Sequence, residues 1–456
     1  MGDALQGARE VQLTGWGRTA PTTARLSPVR GEDEARAVLA GRTGRGLLAR
    51  GLARSYGDAA QNAGGDVLDM TAADRVLGID LAAGEIEVEA GISLDRLMTL
   101  FVPMGFFVPV TAGTRYVTVG GAIAADIHGK NHHVAGSFSQ HVAWLDLLVA
   151  DGTVRRVGPD QEPELFWATA GGMGLTGVIL RARVRMKPIE SSQVLVDTDR
   201  TPDLDALLAL MTDSDHLYDY SVAWIDCVAR GRRMGRSVLT RGRFARRDEL
   251  PARRQADPLR YGAAVRLSAP DVFPPRLLNL ATVAAFNELW YRKSPRRKRD
   301  QLQGIPAFFH PLDGVGDWNR IYGPRGFVQY QFTVPFGQEA ALREALERIS
   351  SSGHASFLAV LKRFGEADPG WLSFPVPGWT LALDIPATLP GLGAFLDELD
   401  EEVAAADGRV YLAKDSRLRP ELLGGMYPRL AEFRELRAEL DPRGVFTSDL
   451  SRRLDL

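Results

Sequence analysis

Between Thr118 and His133 the chain reads T-V-G-G-A-I-A-A-D-I-H-G-K-N-H-H, which puts three of its seven histidines, a lysine and a glycine pair into sixteen residues. A glycine pair lets backbone N–H groups approach an anion that a side chain would keep away. His128 and Lys130 add a titratable group and a cation beside it. The combination predicts a wall shared by a cofactor and a substrate. His128 and His132 stand four apart, the spacing of a zinc-binding helix, but no glutamate of an H-E-x-x-H motif lies between them. Gly129 and Asn131 disfavour a helix there, so no metal site is expected, and His132 and His133 are expected to be structural.

Other segments offer chemistry more weakly. A-R-G-L-A-R-S-Y-G-D-A, residues 49–59, is a second glycine loop. Its Arg50 and Arg54 suit a phosphate, or the segment is an ordinary surface turn. G-G-M-G-L-T-G, residues 171–177, contains a formal G-x-G-x-x-G. A dinucleotide site needs a strand before that motif and a helix after it. Here the order is reversed, which leaves a tight turn or a close approach to a ligand. Gln329 and Gln331 share one strand face, as a sugar site or as a solvated surface would have them. Lys414, in Y-L-A-K-D-S-R, is a candidate cation at a reaction centre.

Several elements must position these groups. E-I-E-V-E-A alternates at period two, a half-buried strand, and Ser93 caps a helix to Phe101. Asp151-Gly152 predicts a type I′ hairpin turn within 145–157. Residues 162–170 read as a helix and 178–186 as a strand. Further strands fall at Y-S-V-A-W-I-D, G-F-V-Q-Y-Q-F-T-V and W-T-L-A-L-D-I, with helices at 338–350 and 391–406. The fold class is α+β.

Bulk composition is that of a soluble globular protein: 456 residues, 45% hydrophobic, 25% charged, net charge −2. That length allows two or three domains. The single cysteine, Cys227, permits no internal disulfide, which fits a reducing compartment. The N-terminal residues lack the apolar core of a signal peptide, and Leu97–Thr114 is too broken by Pro and Gly to span a membrane. These features predict a cytoplasmic protein or one at the periphery of a membrane, on either of its sides. Charge is uneven, with 19 lysines and arginines between Arg230 and Arg299. No nucleic-acid partner is expected. Leu277, Leu280 and Ala284 fall on one helical face in that basic stretch, as a lipid-contacting segment or a solvated loop would have them.

Taken together, R-G-L-A-R-S-Y-G-D, V-T-V-G-G-A-I-A-A-D-I-H-G-K-N-H-H, G-G-M-G-L-T-G-V-I, Y-S-V-A-W, G-F-V-Q-Y-Q-F and A-K-D-S-R resemble the vanillyl-alcohol-oxidase type of FAD-dependent oxidoreductases. Within that type they resemble the branch that oxidises polyprenyl-phosphate-linked ribose. The resemblance runs from about residue 10 to the end of the chain. It implies a two-part FAD domain, residues 7–191 and 409–456, with a substrate domain on an antiparallel sheet inserted at 192–408. A basic, mobile insertion at about 230–300 belongs to that substrate domain.

The same resemblance implies roles. FAD lies on Arg50, Gly51, Leu52, Ala53, Arg54, Ser55, Tyr56, Gly57, Asp58 and Ala59, and on Gly113, Thr118, Val119, Gly120 and Gly121. Ala125, Asp126, Ile127 and His128 flank the flavin, with Gly177, Ile179, Leu180 and Tyr411. Lys414 and His128 are the implied catalytic residues. Tyr56, Lys130, Trp224, Tyr322, Gln329, Gln331, Lys362 and Ala382 line the substrate pocket. Arg54 stands where many relatives attach flavin through a histidine, so the FAD is expected to be noncovalent. Members from pathogenic mycobacteria carry a cysteine, the anchor of covalent nitroaromatic inhibitors, where this chain has Ala382.

The implied reaction oxidises the ribose 2′-hydroxyl to a ketone. It is the first half of an epimerisation that makes the arabinose donor of cell-wall arabinan, and an NAD-dependent keto-reductase partner completes it. Peripheral membrane contact follows from the lipid substrate. Two other functions fit the sequence: oxidation of soluble polyols or aldonolactones, and nonenzymatic binding of a lipid or sugar phosphate.

Overall fold

Strand alternation decides which side chains of this protein can reach a site. The computed structural model describes residues 7–265, 267–273, 278–354, 356 and 358–456. Leu277 and most of the N-terminal stretch judged for a signal peptide lie outside them.

The first part of the chain builds two sheets. One orders Arg9–Leu13, Thr22–Pro28, Asp66–Asp69 and Leu47–Arg50, antiparallel at the first pair and parallel at the others. Strands that run parallel need a crossover, and helix Glu32–Ala40 lies within it. The second sheet is antiparallel throughout: Val76–Asp80, Glu85–Glu89, Val178–Arg185, Val142–Leu148 and Val154–Val157. Ile86 and Val88 are buried, as the alternation requires. Glu89 is buried too, because Arg75 meets its carboxylate at 2.6 Å. Helix Leu94–Phe101 starts where Ser93 Oγ accepts the Arg96 N–H at 3.1 Å.

The 145–157 hairpin forms, but its turn is not type I′. That turn needs positive φ at both central residues, and of Asp151 and Gly152 only Gly152 (φ 88°) has it. The Gly152 N–H reaches Val149 O at 2.9 Å, so the turn runs through Ala150 and Asp151 and Gly152 follows as its left-handed exit. Helix Pro163–Thr169 precedes the 171–177 glycines and strand Val178–Arg185 follows, the reversed order read from the sequence.

The middle of the chain forms one antiparallel eight-stranded sheet. Its order is Arg297–Gly304, Gln193–Thr201, Ser237–Phe244, Tyr220–Ile225, Ala359–Arg363, Gly378–Pro386, Phe327–Pro335 and Arg409–Val410. Ala223, Ile225, Leu361, Leu381, Leu383, Phe332 and Val334 share a buried cluster with helices Leu204–Ser214, Glu339–Ser352 and Leu392–Ala405. Their strand neighbours must point the other way. Those neighbours are Trp224, Val360, Lys362, Ala382, Gln329 and Gln331, and all of them line a cavity. Helix-covered on one face, the sheet is a functional wall on the other.

The basic stretch at 230–300 is not one mobile insertion. Ser237–Phe244 and Arg297–Gly304 are strands of the central sheet. Much of the positive charge is neutralised within the fold. Arg236 meets Asp226 at 2.7 Å and Glu288 at 2.6 Å, Arg299 meets Asp199 at 2.7 Å, and buried Arg241 also pairs with Asp199. Helix Leu280–Lys293, capped by Asn279, leaves Leu280, Phe286, Leu289 and Trp290 exposed. The tail begins inside the substrate sheet, since Val410 pairs with Phe332, and then returns to the first sheet, where Leu47 N–H bonds Val445 O at 2.7 Å.

Candidate active site

Where the two parts of the chain meet there is a cavity of about 1100 Å³. Pockets for one drug-sized ligand reach about 300–1000 Å³, so this space suits a cofactor together with a substrate. One wall is made by the two glycine loops. A Cβ on Gly51 would sit 2.2 Å from Thr118 Oγ1, so glycine is what lets the loops touch. Thr118 in turn accepts the Gly121 N–H at 3.1 Å and starts helix Val119–Ala124.

The loop wall has the donors a dinucleotide needs. Among the described residues, the backbone N–H groups of Leu52, Ala53, Arg54 and Ser55 have no acceptor, and all four residues line the cavity. Ala53 takes a left-handed φ of 56°, the kind of residue that turns successive N–H groups into an anion nest. Arg50, Gly51, Tyr56, Ala59, Gly113, Gly120 and Gly121 line the same space, with Ala125, Ile127, Gly177 and Ile179. This wall fits FAD, whose phosphates would meet backbone donors there rather than guanidinium groups. Arg50 donates instead to Thr14 O at 2.6 Å and to Ala60 O. Arg54 donates to Leu52 O at 2.6 Å and lies 4.0 Å above the Trp16 ring.

Six residues expected at the site do not line it. Gly57 is pressed against the tail, where a Cβ would fall 1.9 Å from Asp415 O. Asp58 is held by Arg453 at 2.8 Å. Val119 and Leu180 alternate away from their cavity-lining neighbours into the core. Asp126 is buried and accepts from Ser139 N at 3.0 Å and from Ser373 Oγ. Tyr322 stacks on Phe327 behind the wall, with ring centroids 4.1 Å apart.

Three amines line the same cavity: Lys362 on the sheet, Lys130 in the Thr118–His133 segment and Lys414 in the tail. Lys414 lies 3.7 Å over the Tyr56 ring, and burial pulls it down to about 7 against the opposing pull of Asp384. Burial lowers Lys362 to about 8, and burial with Lys362 nearby lowers Lys130 to about 7. Lys130 Nζ donates to Phe308 O. Such amines exchange protons near neutral pH and attract anions. Tyr411 donates to Ala125 O at 2.7 Å, tying the tail to the flavin wall. His132 and His133 are structural: His132 Nε2 meets Asp368 at 2.9 Å, and His133 Nε2 reaches Tyr218 O at 2.9 Å.

Sequence reading missed Asp384 and Thr380. Asp384 interrupts the apolar strand W-T-L-A-L-D-I, a polar residue in a fully buried run. It faces Gln329 across the register and receives its amide N–H, and burial pushes its carboxyl up to about 7. Trp16 and Phe308 also line the site, and nothing in their local sequence marks them.

Comparison with known proteins identifies the family. Residues 29–158 match the FAD binding domain family, and residues 327–454 match the D-arabinono-1,4-lactone oxidase family. Fold and site define an FAD-dependent oxidoreductase. The chain is 49% identical over 452 residues to decaprenylphosphoryl-β-D-ribose oxidase of Mycolicibacterium smegmatis, covering 98% of this chain and 97% of that one. It belongs to the family of that enzyme. An uncharacterized Streptomyces coelicolor protein is 47% identical over 80% of this chain and 100% of its own length. Alditol oxidase of a Streptomyces species is 24% identical over 97% of this chain and 98% of its own.

Proposed function

We propose that the protein oxidises the 2′-hydroxyl of decaprenylphosphoryl-β-D-ribose to the 2′-keto sugar, using noncovalently bound FAD. The observation that carries this reading is one cavity that holds both an anion-binding loop and a cluster of amines and amides. The backbone donors of residues 52–55 and Lys130, Lys362, Lys414, Gln329 and Gln331 all line it. FAD supplies a hydride acceptor when bound. Lys414, as a neutral amine, takes the hydroxyl proton. Gln329 and Gln331 orient the sugar hydroxyls, and Lys130 and Lys362 meet the phosphate. The product keto sugar passes to an NAD-dependent reductase that returns the opposite epimer.

The lipid tail leaves toward helix Leu280–Lys293. Phe286 and Trp290 line the cavity and are still 43% and 44% exposed, Leu289 beside them is 67% exposed, and Arg296 and Arg297 follow. An apolar helix face edged by cations suits the surface of an anionic membrane. Among the described residues no helix is long and apolar enough to cross one. The protein is therefore read as peripheral.

A second reading is favoured by the match to a lactone oxidase family and by the alditol oxidase relative. It gives the site a soluble polyol or aldonolactone. Anaerobic titration of the yellow holoenzyme separates the two. Bleaching by decaprenylphosphoryl ribose and not by free ribitol supports the lipid reading, and bleaching by ribitol alone overturns it.

A further inference from the structure

Thr380 is fully buried in strand Gly378–Pro386, two residues from Ala382. Its hydroxyl donates to Phe332 O at 2.9 Å. A hydroxyl has one proton, so toward any other group Thr380 can only accept. Gln331 Nε2 lies 3.2 Å from that oxygen and 2.9 Å from His128 Nε2. Thr380 therefore fixes which end of the Gln331 amide faces His128: it is the NH2 end, which donates and cannot accept. His128 Nε2 must be bare to receive it. In a neutral imidazole the proton then sits on Nδ1.

The surroundings of the ring agree. Phe364, Phe374 and Tyr411 pack around His128 with centroids at 4.9, 5.5 and 5.1 Å. Nδ1 is buried and has no hydrogen-bond partner among the described residues. Aromatic faces accept an N–H weakly and give a bare lone pair nothing. Burial, and after it the nearby Lys362, His132 and Lys414, lower the imidazole well below its usual range and favour its neutral form.

We infer that Thr380 and Gln331 are positioning residues that lock His128 as its neutral Nδ1–H tautomer, which removes it from proton transfer and leaves that step to Lys414. Nε2 is engaged by Gln331, and Nδ1 already carries its proton. The inference rests on the reading of this cavity as the oxidation site only for its last clause. The tautomer itself follows from the hydrogen-bond chain.

The test is long-range 1H–15N correlation spectroscopy on holoenzyme labelled at histidine, with His128→Gln to assign the signal. The expected wild-type result is a protonated Nδ1 and a bare Nε2, with no titration at the usual histidine value. Thr380→Val frees the Gln331 amide to rotate and should mix the tautomers, while Thr380→Ser should restore the single form. A protonated Nε2 in the wild type, or titration near the usual histidine value, overturns the lock. The second measurement is the pH profile of kcat/KM. His128→Gln should lower kcat and leave the acidic limb in place, and a limb that vanishes with His128 overturns the inference. If the tautomer is as stated but decaprenylphosphoryl ribose does not bleach the flavin, the substrate reading fails and the lock stands.

Discussion

Arg453, in helix Asp449–Leu454, grips both carboxylate oxygens of Asp58, at 2.9 and 2.8 Å, across 395 positions of sequence. The same guanidinium reaches Asp415 at 2.8 Å, next to Lys414. One residue of the last helix thus joins the first glycine loop to the segment carrying the candidate base. The pair is partly buried, with about a fifth of each side chain exposed. Its loss should therefore cost about 2 kcal/mol, between the values for exposed and fully buried pairs. Arg453→Ala is expected to lower the melting temperature and weaken flavin retention, while Arg453→Lys recovers part of both. Thermal unfolding followed by flavin fluorescence reads both at once, and an unchanged melting point would count against the clamp.

Proton transfer to Lys414 requires the neutral amine, and burial sets its pKa at about 7. Activity should therefore rise with pH through about 7 and then level off. Asp384 holds the ammonium form up, so Asp384→Asn should move the limb to lower pH. Lys414→Met should lower kcat by about 10²–10⁴-fold. A limb that does not respond to Asp384→Asn would show that another group sets it.

Ala382 lies on the cavity face between Gln331 and Val360. The native thiol, Cys227, is buried, and burial pushes its pKa well above the usual range. Wild-type protein should resist thiol alkylation, whereas Ala382→Cys should gain one adduct and lose activity with it. Intact-mass spectrometry of the two proteins decides this.

Noncovalent flavin predicts that acid precipitation releases the yellow chromophore to the supernatant. Arg54 is engaged by Leu52 O and Trp16 and offers no nucleophile for a covalent link. Flavin left in the pellet would contradict the proposal.

Arg296 and Arg297 flank the exposed Phe286–Trp290 face, and both are largely solvent-accessible. Replacing both with Gln should weaken cosedimentation with anionic vesicles, most strongly at low salt. Arg299 is a poor choice for this test because Asp199 holds it at 2.7 Å. Equal binding by the double variant would remove these cations from the membrane contact.

Much of this site is legible in the sequence because local rules govern it. The glycines at 51 and 120–121 mark backbone that must come close to something, and period-two alternation puts Gln329 and Gln331 on one face. What stays hidden is set by pairing across the fold. Asp384 gains meaning only when the register places it opposite Gln329. Arg50 resembles a phosphate ligand until its partners prove to be the carbonyls of Thr14 and Ala60. Asp151-Gly152 has the composition of a type I′ turn, yet the hairpin shifts the turn one residue back, a choice made by strand pairing and not by the dipeptide. The arginines at 241 and 299 read as part of a mobile basic tract because their acidic partner, Asp199, is far away in sequence.

The return of the tail also bears on biosynthesis. A chain growing on the ribosome makes its glycine loops and all eight strands of the large sheet before Tyr411, Lys414 and Arg453 are translated. A nascent or prematurely terminated chain can thus present much of the cradle without its amine.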